Sequence, residues 1–325
     1  MTFDRYLNPL SVNRQGVTIV DEFGNVPTTP IVQYDPVTRV VTLLNPTPGA
    51  KWLEVGQFYK LVFPVSQPDA DTLGLRAIDG ATIDPETPPI GFAVIAPLSP
   101  PLPPGEPTID FCADVYPLFQ AHTFSATQGA CANANCHGVA GQEPLLVPAM
   151  GLDLQSEEGI RHTAIGVAAS ETSGAQTTPL STQPSFAVGM PIIAPNDPGD
   201  SYLLYKLLLP DENGVPSARG TSVPYTACKP VTPPWDYGPS ADFASQDEAA
   251  RLAAKIPGRR MPWGDFDPST TSFGVHGGTP LTLDEIERIR LWIQQGAEVD
   301  DCVARACQAT CDEPYATQTP CRKQP

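Results

Sequence analysis

Short apolar runs separated by turn-forming residues dominate the first 96 residues of the chain. The runs occupy residues 17–20, 31–34, 40–44, 58–65 and 91–95. In the longest run Tyr59, Leu61 and Phe63 recur with a period of two, and clusters such as Asn-Pro-Thr-Pro-Gly at 45–49 separate the runs. This pattern is typical of short strands in an all-β sandwich. We therefore predict a β-sandwich over residues 1–96.

A proline-rich stretch follows, and the pattern then changes to that of helices. The prolines at residues 97–108 favour extended backbone and predict a stiff linker. Beyond it, helices are expected near 111–121 and 202–209. Thr282 and Glu285 have the spacing of a capping box, and the helix that they open carries an apolar stripe at positions 283, 286, 289 and 293. We predict a mainly α, loop-rich domain over 109–301 in a multidomain chain.

Composition narrows the class of partner. The 325 residues include 39 prolines and 26 glycines, yet 41% are hydrophobic, which is enough for packed cores. The formal net charge of −17 would repel phosphate backbones, so we expect no nucleic-acid partner. Such a surface suits a basic redox partner, or simply keeps the protein in solution.

Residues 131–138, Cys-Ala-Asn-Ala-Asn-Cys-His-Gly, hold the most informative chemistry. Cys131 and Cys136 can each add to a haem vinyl group, and His137 can reach the iron as the proximal ligand. The usual attachment motif has two residues between the thiols, whereas this one has four. A zinc site is the alternative, but ligands this close in sequence favour haem. The sequence predicts one covalent haem c.

Six further cysteines remain, and an even number is what a disulfide framework requires. The sequence leaves their connectivity open; they are Cys112, Cys228, Cys302, Cys307, Cys311 and Cys321. Four of the six fall within residues 302–325, which predicts a disulfide-stapled tail. Disulfides and covalent haem both indicate a periplasmic or cell-surface protein. We expect a removed export signal, with or without a membrane anchor.

The sequence offers three candidates for the sixth ligand of the iron. Met261 lies in a Gly-Arg-Arg-Met-Pro-Trp segment, where Arg259 and Arg260 could contact the haem propionates. Met190 is also followed by proline, and His276 lies in a glycine-rich loop. Spacing favours Met261, and Met190 and His276 stay open as alternatives.

Several segments, in order, resemble the large single-haem cytochrome c domains of planctomycete and myxobacterial type. They are Cys-His-Gly at 136–138, Gly-Leu-Asp-Leu at 151–154, residues 193–204, Arg-Met-Pro at 260–262, residues 281–285 and Leu-Trp-Ile-Gln-Gln-Gly-Ala at 291–297. The resemblance spans about 190 residues. It implies electron transfer by a haem with His137 and Met261 as axial ligands.

The N-terminal region is similar to bacterial Ig-like domains of the surface-layer type. The matching segments are Phe-Asp-Arg-Tyr-Leu-Asn-Pro at 3–9, Gly-Gln-Phe-Tyr-Lys-Leu at 56–61 and Phe-Ala-Val at 92–94. This resemblance implies a spacer or adhesive module without catalysis.

Three functions follow from these patterns. The leading hypothesis is an exported monohaem electron carrier rather than an enzyme. If Met261 does not bind the iron, an open position would suit a haem enzyme or a peroxide or gas sensor. A structural role in a self-assembling surface layer is the third hypothesis.

Overall fold

The computed structural model describes a little over half of the chain, in separate stretches. These are residues 1–27, 29–47, 49–66, 73–95, 106, 108–119, 131–132, 137, 148–172, 189–210, 214, 216, 245–258, 260–261 and 281–302. Strands occupy the N-terminal third, and the longer helices follow it. Within these stretches, no helix is both long and apolar enough to cross a membrane.

Among the described residues, five strands form two small antiparallel sheets. Strands β1 (Thr18–Asp21), β4 (Phe58–Val62) and β5 (Ile90–Ala93) make a three-stranded sheet in the order β1-β4-β5. Strands β2 (Ile31–Asp35) and β3 (Val40–Leu44) make a hairpin. The strands predicted from the apolar runs are confirmed, with ends that differ by a few residues.

Asp35 shapes the turn of the hairpin. Its Oδ1 accepts the backbone N–H of Val37 at 2.8 Å, and its Oδ2 accepts the hydroxyl of Thr38 at 2.6 Å. Arg39 then takes a positive φ of 56°, which reverses the chain into β3. The turn therefore depends on side-chain hydrogen bonds and not on a glycine.

Five α-helices follow the strands among the described residues. They are α1 (Tyr116–Phe119), preceded by a π-helical turn over Phe111–Val115, then α2 (Glu157–Thr163), α3 (Tyr202–Leu208), α4 (Gln246–Ala253) and α5 (Leu283–Gln294). The predicted capping box of α5 is confirmed, because Thr282 and Glu285 each bond the backbone of the other. The helix ends at Gln294, and Gly296 follows it with a φ of 112° that suits glycine.

One hydrophobic core joins the helices to the hairpin. All of α3 is buried, and Ile286, Ile289 and Ile293 of α5 are fully or almost fully buried beside it. Tyr34 of β2 and Val41 of β3 belong to the same apolar cluster. Buried residues of the three-stranded sheet, such as those at positions 19 and 59, are not part of that cluster. The hairpin is thus packed directly on the helical region.

A close backbone approach makes this docking specific. A Cβ at Gly199 would lie only 2.8 Å from the carbonyl oxygen of Tyr34, so glycine is needed where the 198–200 turn meets β2. The hydroxyl of Tyr205 on α3 donates to the carbonyl of Gly199 at 2.8 Å. In turn, the hydroxyl of Tyr34 accepts the N–H of Leu7 at 2.9 Å.

Charged side chains also join the hairpin to α5. Arg290 of α5 lies 3.4 Å from Asp35 of the hairpin, 3.2 Å from Glu106, and in direct contact with Glu287. Burial raises the pKa of Glu287 to about 7, although Arg290 opposes the shift. Burial alone would lower the pKa of Arg290, but the carboxylates around it raise that pKa above its ordinary value. The charge of the buried Arg290 guanidinium is therefore balanced by nearby carboxylates.

A disulfide closes the helical region. Cys112 and Cys302 are bonded, with their Cα atoms 5.2 Å apart and a sequence separation of 190 residues. It joins the π-helical turn to the segment that follows α5. The remaining four cysteines of the predicted framework, Cys228, Cys307, Cys311 and Cys321, lie outside the described residues.

Candidate functional site

The candidate haem-attachment loop begins and ends on the helical core. The N–H of Ala132 donates to the carbonyl of Phe119, the last residue of α1, at 2.7 Å. The N–H of His137 donates to the carbonyl of Cys131 at 3.1 Å, and the carbonyl of His137 accepts the N–H of Leu154 at 2.7 Å. These bonds fold the loop back on itself, so that the backbones of Cys131 and His137 are adjacent.

The thiol and imidazole of this loop have different environments. Cys131 is only 5% exposed and belongs to the main apolar cluster. His137 is partly buried. Cys136, the second predicted attachment thiol, lies outside the described residues.

Met261, the favoured sixth ligand, packs against that same apolar cluster and is partly buried. Its N–H donates to the carbonyl of Lys206, in the last turn of α3, at 3.2 Å. Met190 is 2% exposed, in a segment hydrogen-bonded to Ala169 and Thr172. The alternative ligand His276 lies outside the described residues. Cys131, Met190 and Met261 therefore share one core.

A buried lysine anchors the segment that leads to Met261. Lys206 is 6% exposed; its Nζ donates to the carbonyl of Pro257 at 2.7 Å and lies 3.3 Å from Glu171. Burial lowers the pKa of Lys206, and Glu171 partly offsets that effect. Tyr202 also donates its hydroxyl to Glu171, so the carboxylate receives two donors from α3. The side chain and the carbonyl of Lys206 thus hold both ends of residues 257–261.

The two arginines predicted to contact propionates are placed only in part. Arg259 lies outside the described residues. Arg260 is 8% exposed, and its Nη2 donates to the carbonyl of Leu281 at 3.1 Å, just before the cap of α5. At least one donor of Arg260 is therefore used to fix the start of α5.

Sequence reasoning missed another arginine, Arg288. It lies on α5 and is 2% exposed, and its Nη2 has no hydrogen-bond partner among the described residues. The nearby Asp114 has its pKa raised by burial, with Arg288 acting in the opposite direction. No local sequence signal marked this residue, because an apolar stripe on α5 ordinarily implies a solvated opposite face.

The described residues form no conventional metal site. Within them, no three His, Cys, Asp or Glu side chains are placed to share a metal ion. His162 is exposed and contacts Glu158 at 2.7 Å. Asp197 caps the turn at 198–200 by accepting the N–H of Asp200.

Comparisons with known proteins give no relative on which to base an assignment. No protein-family model, curated protein or solved structure matches the chain. The function must therefore be argued from the residues themselves.

The placed residues fit a covalent haem in three respects. The backbones of Cys131 and His137 are adjacent, and Cys131 lies in an apolar core. A methionine packs on that core from a separately anchored segment. The core also holds a guanidinium donor without a protein partner among the described residues, which suits an anionic cofactor edge.

Proposed function

We propose that this chain is an exported monohaem c-type cytochrome that carries electrons. The observation that carries the proposal is the folded loop in which the N–H of His137 bonds the carbonyl of Cys131, with Cys131 buried in the apolar core. Cys131 and Cys136 would hold the haem by thioether bonds, and His137 and Met261 would be the axial ligands. When bound, the haem supplies a one-electron ferric/ferrous couple.

The protein's own contribution is to hold and shield this group. The bond from Leu154 to the carbonyl of His137 restrains the backbone of the proximal residue. Lys206 restrains the segment that carries Met261. Methionine ligation and burial both favour a higher reduction potential. The acidic surface implied by the net charge of −17 favours a basic redox partner in the periplasm or at the cell surface.

The finer fold assignments belong to the same proposal. Residues 1–96 would be an Ig-like module of the surface-layer type, supported by the two antiparallel sheets. Residues 109–301 would be the cytochrome domain, supported by the five helices and their shared core. The module would dock the cytochrome to a neighbour or hold it near a membrane.

The first test is haem stoichiometry after export in a host with cytochrome c maturation. The reduced pyridine spectrum of the denatured wild type should show one covalent haem per chain. A Cys131→Ala/Cys136→Ala variant should retain none, and Cys228→Ala, outside the attachment motif and the Cys112–Cys302 disulfide, serves as the control thiol replacement that keeps it. Absence of covalent haem from the wild type would refute the proposal and favour a disulfide-stapled surface protein.

The second test identifies the sixth ligand and separates a carrier from an enzyme. The native ferric protein should be low-spin and show the weak long-wavelength band of methionine-ligated iron. Met261→Leu should abolish that band, whereas Met190→Leu, at the buried alternative position, should preserve it. A high-spin ferric wild type would instead support an open iron position and the enzyme or sensor hypothesis.

A further inference from the structure

Arg288 is a buried cation with a hydrogen-bond donor that the described protein does not use. It is 2% exposed, and its Nη2 lacks a partner among the described residues. A guanidinium carries five N–H donors and stays charged at any physiological pH. A donor buried without a hydrogen-bond partner costs free energy, so its presence in the interior requires an explanation.

Comparison with Arg290 shows that the surroundings of Arg288 are unusual. Arg290 lies on the same helix and is similarly buried, yet it contacts Asp35, Glu287 and Glu106. For Arg288 no ion pair with a carboxylate is found among the described residues, although its charge lowers the pKa of the nearby Asp114. The Oδ2 of Asp114 accepts the N–H of Asp110 at 2.9 Å, and no hydrogen bond joins Asp114 to Arg288.

The position of Arg288 relates it to the candidate haem loop. Arg288 and Trp292 are four residues apart and lie on the same face of α5. The ring of Trp292 lies 5.3 Å from that of Phe111 and 6.3 Å from that of Phe119. Phe119 in turn accepts the N–H of Ala132. Arg288 therefore belongs to the helix face that packs on Phe111 and Phe119, and Phe119 is hydrogen-bonded to the residue after Cys131.

We propose that Arg288 is an anion-binding residue that pairs with a propionate carboxylate of the covalent haem. This assignment rests on the proposed function and adds to it a residue outside the attachment and axial-ligand set. A guanidinium fork matches a carboxylate with two parallel hydrogen bonds, and burial strengthens that pairing. The haem would thus supply the partner that Arg288 lacks among the described residues.

The test replaces the charge and measures the reduction potential of the haem-loaded protein. Arg288→Met should lower the potential, because a buried positive charge near the haem favours the ferrous state. It should also raise the pKa of the propionate, so the pH at which the potential changes moves upward. Arg288→Lys keeps the charge and should stay close to wild type. Arg251→Met, which removes the same charge from a more exposed site on α4, is the matched control.

The possible results distinguish a failure of the Arg288 assignment from a failure of the proposed function. A normal haem content with unchanged potential and pH profile in Arg288→Met would overturn the assignment while leaving the proposed function intact. Should the Met variant not fold, Arg288→Gln removes the charge while keeping a polar donor, and the same two measurements apply to it. A wild type without covalent haem would instead overturn the proposed function, and this assignment with it.

Discussion

The Cys112–Cys302 disulfide should make a large contribution to the stability of the chain. It closes a loop of 190 residues. In the chain-entropy description, a loop of that length raises the free energy of unfolding by about 5 kcal/mol at room temperature, because the cross-link restricts the unfolded chain. The packing lost with the two sulfur atoms is small by comparison, since both cysteines are only partly buried.

Three variants test this value: Cys112→Ala, Cys302→Ala and the double replacement. Equilibrium unfolding in urea, followed by tryptophan fluorescence, gives the free energy of unfolding for each. Since every variant removes the same cross-link, the two single replacements should each lose nearly as much as the double one. Proteolysis of the wild type without reductant should release the two cysteine-bearing peptides as one disulfide-linked species.

Two results would refute the reasoning. If the double variant unfolds at the same urea concentration and with the same slope as wild type, the cross-link does not stabilise the chain. If the single variants lose much less than the double one, the cysteines act through independent packing contacts and not through a shared bond. A changed slope would show that the compactness of the unfolded state has altered, as loss of a cross-link predicts.

Other residues give predictions of different kinds. Burial raises the pKa of Glu287 to about 7 from 4.5, so the unfolded state loses this proton first and stability should fall as pH rises between those values. Urea unfolding of Glu287→Gln should show a weaker dependence on pH in that window, and an unchanged slope would contradict the assignment. Lys206→Met should weaken the methionine–iron band of the ferric protein, whereas Lys51→Met, at an exposed ion pair, should not; equal spectra would show that Lys206 does not position Met261. Tyr34→Phe leaves the N–H of Leu7 without its acceptor and should cost about 1–3 kcal/mol in urea unfolding, and a variant as stable as wild type would contradict this role.

Local patterns along the chain predicted the elements well, because they depend on neighbours in sequence. The strands follow the apolar runs, and the capping box of α5 forms from two residues three apart. Ser245 and Glu248 have the same spacing, which predicts a second capping box before α4, but this box forms only by half. Ser245 accepts the N–H of Glu248, but the carboxylate of Glu248 accepts the N–H of Tyr6 at 2.6 Å. A partner 242 residues away replaced the local one, and no sequence window contains that information.

The candidate site shows the same division between local and distant information. The order of the thiols and the imidazole in residues 131–138 is local, and it was sufficient to suggest the chemistry. The hydrogen bond between Lys206 and Met261 joins α3 to a segment more than 50 residues later in the chain. No sequence motif predicts this contact. Arg288 was missed for a related reason. The amphipathic pattern of a helix with 3.6 residues per turn predicts that polar positions face solvent. In α5, however, several charged positions are buried.

The buried charges of α5 bear on where the chain divides into domains. Amino-acid composition changes sharply at the proline-rich stretch, yet the apolar cluster runs from Tyr34 of the hairpin into α3 and α5. Asp35 both shapes the hairpin turn and faces Arg290, so the turn geometry and the charge compensation inside the helical region depend on one side chain. A buried arginine that loses a carboxylate is destabilising, because its remaining charge is poorly solvated. The hairpin is therefore part of what allows α5 to keep the charge of Arg290 buried.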